Sequence, residues 1–221
     1  VPAVATKREL RRHRLSLIPV SVILLGLILG IGCSSRPVSR HREEGKGTFN
    51  EIVIVGQSKA EGERLLSHAF QILHEIDGKF NSQEGTSEIF RINQEGFKKP
   101  QKVSPETFEV IQKSVDFFQK SGGAFDITWL PLLKLWGFEG GKPGLPPHQE
   151  IQGLLPRVDS NHLVLDIKKQ RVGFRVPQVQ IDLREIAKGY ACDEVIKFLK
   201  TEGGQHALVN VGGTIGVFGN S

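Results

Sequence analysis

Four charged residues, Asp182, Arg184, Glu185 and Lys188, crowd the middle of the stretch "IDLREIAKGYACDEV", and Gly189 follows directly. The apolar head reads as a strand and the tail as a helix, so the charges fall at a helix N-terminus. Free N–H groups and the helix dipole attract phosphate at such an end, and a lysine one turn in adds positive charge. Gly189 weakens a helix but lets a ligand approach the backbone. A phosphate-binding edge is the chemistry these residue types could serve. The plainer reading is an ordinary strand–helix corner with a surface Lys–Glu pair, and the stretch alone favours the corner.

Asp126 is a second candidate. It follows Gly122-Gly123-Ala124-Phe125 in a segment otherwise apolar for a dozen residues. Burying an unpaired carboxylate is costly. Asp126 is therefore either a cap on its own turn or the polar anchor of an apolar, aromatic-lined pocket for a flat heteroaromatic ligand. In "VNVGGTIGVFG" a Gly-Gly pair makes either a simple hairpin turn or a backbone wall over a ligand. Other chemistries find little support. The seven histidines show no metal spacing, and His68 and His74 are six apart on one helix and do not face each other. Neither GxGxxG nor GxxxxGK occurs. Cys192 has no evident histidine partner and reads as a small buried side chain.

The elements that must position these residues follow from periodicity. "TFNEIVIVG" is a strand. "SKAEGERLLSHAFQILHEIDGKF" is a helix with a Ser58/Glu61 capping box and one apolar face of Leu65, Leu66, Ala69, Ile72, Leu73 and Ile76. "NSQEGTSEIFRIN" reads as a loop. Ser104 caps a helix that starts at Pro105, buries Phe108, Ile111, Val115 and Phe118, and stops at Gly122-Gly123. "HLVLDIK" and "RVGFRV" form a hairpin, with "VQIDL" as a third strand. A helix from Glu185 to about Glu202 and two strands around Gly212-Gly213 complete the order. Strands and helices mix without strict alternation, so the fold class is α+β.

The chain has 221 residues, 38% hydrophobic and 24% charged, and looks globular. Residues 1–33 carry five cations against Glu9, so the net charge of +5 leaves only +1 for the rest. With no compact basic stripe after residue 50, nucleic-acid binding is a poor reading. "KRELRRHR", the uncharged run Leu15–Gly32 and then Cys33 read as an export signal, 1–33. Gly32-Cys33-Ser34-Ser35 resembles a bacterial lipoprotein cleavage site, with Cys33 lipidated; an uncleaved membrane anchor is the alternative. Either leaves the domain outside the inner membrane. Residues 34–47 read as a polar tether and 48–221 as the domain. The absence of methionine and the abrupt ends suggest a piece of a longer chain.

Four segments together resemble the ApbE-type FAD:protein FMN transferases: "SEIFRIN", "SGGAFDITWLPLLKLWGF", "IDLREIAKGYACDEV" and "ALVNVGG". The resemblance implies a two-lobed α+β fold and Mg²⁺-dependent transfer of FMN from FAD to a threonine hydroxyl, with release of AMP. It implies that Ala124, Phe125 and Asp126 line the FAD site, that Asp182 and Lys188 contact FAD, and that Glu185 supplies a metal ligand. Targets would be exported flavoprotein subunits of membrane redox pumps. An FAD pyrophosphatase and an exported FAD-binding lipoprotein without transferase activity are the alternatives. Arg184 and Glu185 stand where the family prefers small residues, and Lys46 and Gln83 also depart from its pattern. The remaining magnesium ligands of the family lie in a further C-terminal segment, so these 221 residues alone are expected to be inactive or very weak.

Overall fold

The computed structural model of the chain describes residues 36–45 and 48–219; Cys33, Lys46 and the apolar run Leu15–Gly32 lie outside the described residues. Ile52 and Ile54 alternate with more exposed neighbours along strand β2, Thr48–Val55, and are almost fully buried, so one face of its sheet is core. On one side β2 pairs antiparallel with β1, Val38–Gly45, in register from Val38↔Val55 to Gly45↔Thr48. On the other it pairs with β6, His206–Val211, which pairs with β7, Thr214–Phe218. The sheet order is β1-β2-β6-β7.

Strand β1 occupies much of the stretch expected to be a tether. Its sequence, VSRHREEG, shows no apolar alternation because it is an edge strand held by its ladder and by polar contacts. The Arg40 Nε donates to Glu51 at 2.6 Å, the Arg42 guanidinium lies 3.7 Å from the Phe49 ring centroid, and Glu43 meets His74 at 2.7 Å. Charged edges of this kind resist strand-to-strand aggregation.

Two long helices cover the buried face. Helix α1, Lys59–Phe80, starts where the Ser58 hydroxyl accepts from the Glu61 N–H, and it buries Leu65, Leu66, Ala69, Leu73, Ile76 and Phe80. Helix α6, Arg184–Thr201, packs against α1, β6 and β7. Phe80 meets Tyr190 across the two helices, with ring centroids 5.8 Å apart.

The expected loop before residue 93 contains helix α2, Glu88–Glu95, where Ser87 accepts from the Phe90 N–H at 2.9 Å. Only two buried residues, Ile89 and Ile92, mark its inner face, too few to stand out in a polar sequence. Next come β3, Gln101–Lys102, helix α3, Pro105–Lys120, and short helices α4, Leu130–Leu135, and α5, His148–Leu154. The expected hairpin forms as β4, Leu163–Asp166, and β5, Arg171–Phe174.

"VQIDL" is not the third strand of that sheet. The order is β3-β5-β4, and Gln180 makes only an isolated bridge with Trp129. An amide side chain takes the place of a strand partner: the Ile181 N–H donates to Asn93 Oδ1 at 2.7 Å, and Asn93 Nδ2 donates to the Ile181 carbonyl at 2.9 Å. The α+β class stands as expected. Among the described residues, no helix is long and apolar enough to cross a membrane.

Candidate functional site

The corner at the start of α6 divides its charges between two tasks. Asp182 is held inside, with its side chain 1% exposed. Its carboxylate accepts from the Arg184 N–H at 2.9 Å, from Arg184 Nε at 3.0 and 2.9 Å, and from the Ser82 hydroxyl at 2.9 Å. Arg184 Nη2 also donates to Glu139 at 2.9 Å, a carboxylate only 5% exposed. Partial burial of the guanidinium works against its charge. Hydrogen bonds and attraction from Asp182 and Glu139 outweigh that, and the Arg184 pKa is held above its ordinary value. One guanidinium thus serves two enclosed carboxylates, and the carboxylate implied to touch FAD is turned into the protein.

Glu185, Lys188 and Gly189 take the other task. Glu185 is exposed in the first turn of α6. Among the described residues, no side-chain hydrogen bond or ion pair holds Glu185 or Lys188, so the surface Lys–Glu pair does not form. A Cβ built on Gly189 would meet no atom within 4 Å. Glycine inside a helix costs roughly 1 kcal/mol relative to alanine, and nothing in the packing requires it there. What it leaves is room: Gly189 borders a cleft of about 490 Å³ that Phe117, Phe125, Glu185, Ile186 and Thr214 also line. Phe117 and Phe125 meet edge to face with centroids 5.9 Å apart and form an apolar wall.

The Gly212-Gly213 turn between β6 and β7 supports Lys188. Its Cδ and Cε pass 3.4 and 3.5 Å from where a Gly212 Cβ would stand, and Gly212 has a φ of +56°. Buried Asn210 secures the turn by accepting from the Gly213 N–H at 2.9 Å. The lysine stem is guided along backbone while its ammonium remains without a protein partner among the described residues.

Asp126 is saturated by protein groups. It accepts from the Thr128 N–H at 2.8 Å, the Thr128 hydroxyl at 2.6 Å, the Ser160 N–H at 3.0 Å and the Ser160 hydroxyl at 2.7 Å. The cap on its own turn is therefore formed, extended into a tie across the chain. Asp126 is not among the residues lining the cleft, Ala124 is exposed, and Phe125 carries this motif to the wall. The next residue joins the two motifs directly, because the Ile127 carbonyl accepts from the Asp182 N–H at 2.8 Å.

Phe125 and Glu185 thus meet at one cleft, Lys188 adjoins the glycine turn beside it, and Asp126 and Asp182 hold the frame. Phe117, Thr214, Ser82 and Glu139 were not singled out by sequence reasoning. Ser82 and Glu139 lie 100 and 45 residues from their partners in the corner, and no local pattern announces them.

A magnesium ion fits this donor set in a limited way. Among the described residues, no three His, Cys, Asp or Glu side chains converge on a cation position. Magnesium usually takes one or two carboxylates, keeps several waters and shares substrate phosphates. The unpaired Glu185 carboxylate can supply one protein contact of that kind, whereas Asp182 is already consumed.

A family model described as the ApbE family matches residues 46–221. An FAD:protein FMN transferase of Vibrio cholerae is 28% identical over 199 residues, 88% of this chain and 59% of the relative. Another of that name from Klebsiella pneumoniae is 30% identical over 159 residues, 71% of this chain and 50% of the relative. Among solved structures, the flavin transferase ApbE from Vibrio cholerae superposes with a TM-score of 0.77 at 26% identity, covering 84% of this chain and 60% of that one. The apo flavinyl transferase ApbE of Pseudomonas stutzeri gives 0.77 at 27% identity, covering 86% and 62%. The chain spans about half to three fifths of the length of these curated relatives.

Proposed function

The chain belongs to the ApbE family, and on that premise we propose that it binds FAD and serves the transfer of FMN from FAD to a protein hydroxyl. A threonine hydroxyl of an exported flavoprotein attacks the phosphorus on the FMN side of the pyrophosphate. The hydroxyl loses its proton, the phosphorus–oxygen bond to the AMP half breaks, and AMP leaves. FMN stays joined to the threonine through a phosphoester. Positioning and charge neutralisation dominate such transfers.

One observation carries the reading: a single cleft gathers Phe125, Glu185, Gly189 and Thr214 from three separate sequence motifs. Phe117 and Phe125 offer an apolar wall to a flat ring. Gly189 leaves space beside the helix, and the unpartnered Lys188 ammonium and the positive end of α6 favour an anion. Glu185 is the residue here that would hold magnesium, which when bound neutralises phosphate charge.

The full gene product, mixed with FAD, Mg²⁺ and a flavoprotein domain bearing the target threonine, should give covalent in-gel flavin fluorescence. The signal should vanish when that threonine is replaced by alanine or Mg²⁺ is chelated. Equal release of FMN and AMP with and without the domain would mean an FAD pyrophosphatase instead. FAD binding without turnover would mean a flavin-binding protein that is no transferase. The proposal extends to location, on the outer face of the inner membrane with lipid on Cys33. Palmitate labelling that survives Cys33→Ser would refute that part.

A further inference from the structure

We propose that a second cleft, between α2 and the β3–β5 pair, binds a compact phosphate-class polyanion. The cleft measures about 540 Å³ and is lined by four cations, Arg91, Lys99, Lys102 and Arg171, against one carboxylate, Glu88. None of these residues borders the cleft assigned above to FAD. Lys102 and Arg171 stand directly opposite each other in the β3–β5 register. Like charges at such a cross-strand pair destabilise a sheet.

The protein does little to relieve this repulsion. Glu88 is engaged with Ser104, accepting from its N–H at 2.9 and 3.1 Å and from its hydroxyl at 2.9 Å. Asp166 stands opposite Arg171 on the β4 side, but it accepts from the Lys169 N–H at 3.0 Å and forms no ion pair with Arg171. Among the described residues, no carboxylate lies within ion-pair distance of Lys99, Lys102 or Arg171. Two contacts tie the Arg91 guanidinium and the backbone of the cleft. Arg91 Nη2 donates to the Lys102 carbonyl at 2.7 Å, and Gln101 Nε2 donates to the Lys99 carbonyl at 2.6 Å.

Cations gathered around an open cleft, with Arg91, Lys99 and Lys102 exposed to solvent, can share one anion. The volume is that of a small-molecule site. Its wall contains no aromatic residue, so neither a nucleobase nor a flavin ring is selected. Guanidinium and ammonium groups suit phosphate oxygens, and four of them suit more than one phosphate. The source could be a free phosphate compound or a lipid headgroup.

Inorganic pyrophosphate, titrated calorimetrically into the Lys188→Ala form of the 221-residue chain, in which the other cleft lacks its phosphate partner, should bind one to one and weaken as salt rises. Lys102→Glu should lower that affinity about tenfold or more, the worth of one charge-assisted contact. The ligand-free Tm should hold or rise, because the variant exchanges a like-charge pair for an opposite one, an outcome that mere structural damage would not give. Arg171→Ala should lose pyrophosphate affinity in the same way. Gly189→Leu, aimed at the other cleft, should bind pyrophosphate normally, which separates this proposal from the flavin reading. Displacement of pyrophosphate by phosphatidylglycerol vesicles would assign the site to a headgroup, and no displacement to a free compound. Absence of pyrophosphate binding, equal affinity in the Lys102 and Arg171 variants, or loss in Gly189→Leu would overturn the proposal.

Discussion

Replacing Arg184 with alanine removes the one cation that, among the described residues, serves Asp182 and Glu139, whose side chains are 1% and 5% exposed. Stripping the partner from a fully buried ion pair costs about 3–5 kcal/mol. The guanidinium is 46% exposed, so solvent already screens part of its attraction. Halving the buried figure for that screening gives an expected loss of roughly 1.5–2.5 kcal/mol at pH 7, or a Tm drop of about 3–10 °C. Ser82 bridges the two carboxylates, at 2.9 Å from Asp182 and 3.5 Å from Glu139, so removing the cation leaves two enclosed neighbouring carboxylates uncompensated. Urea unfolding at pH 7 tests the size of the loss, with Arg184→Ala/Glu139→Gln recovering part of it. An Arg184→Ala variant within about 0.5 kcal/mol of wild type at pH 7, the usual range for a surface substitution, would refute the clamp.

Gly189→Ala should stabilise the fold by roughly 0.5–1 kcal/mol through helix propensity, since its Cβ meets open space. Gly189→Leu should keep the fold yet abolish FAD binding in a fluorescence titration; unchanged FAD affinity would remove the cleft from the site. Lys188→Ala should weaken FAD binding about tenfold with little change in Tm, as no protein partner is lost. Asp126→Ala should cost about 2–4 kcal/mol by denaturant unfolding, because it strands donors on buried Thr128 and Ser160. Tyr190, the only tyrosine, has its pKa pushed up to about 12, chiefly by burial and then by the charges of Glu194, Glu109 and Glu106. The folded state keeps a proton that the unfolded chain loses near pH 10, so this contribution to stability falls away as pH rises from about 10 to about 12. Ultraviolet titration of the folded protein with a midpoint near 10 would contradict that environment.

The sequence determined the elements whose pattern is local. The Ser58 cap and apolar face of α1, the Pro105 start of α3, the β4–β5 hairpin and the Gly-Gly turn all came from neighbours within a few residues, although the Glu61 half of the expected capping box gives way to a pairing with Arg64. Its motifs also marked Phe125, Glu185 and Gly189, which the fold brings to one cleft. Tertiary structure decided the rest, because those outcomes depend on partners distant in the chain. Strand β1 is a strand because β2 lies beside it, and Ile181 leaves the sheet because Asn93 completes its hydrogen bonds. Asp182 and Asp126 read alike with Lys188 as ligand contacts. A carboxylate goes to whichever donor the fold brings near: Ser82, Arg184 and Ser160 reach the two acids first, while Lys188 is left open. The cation cluster at the β3–β5 pair is only half legible, because Lys99 and Lys102 are near neighbours in the chain, whereas strand register, not sequence proximity, sets Lys102 against Arg171.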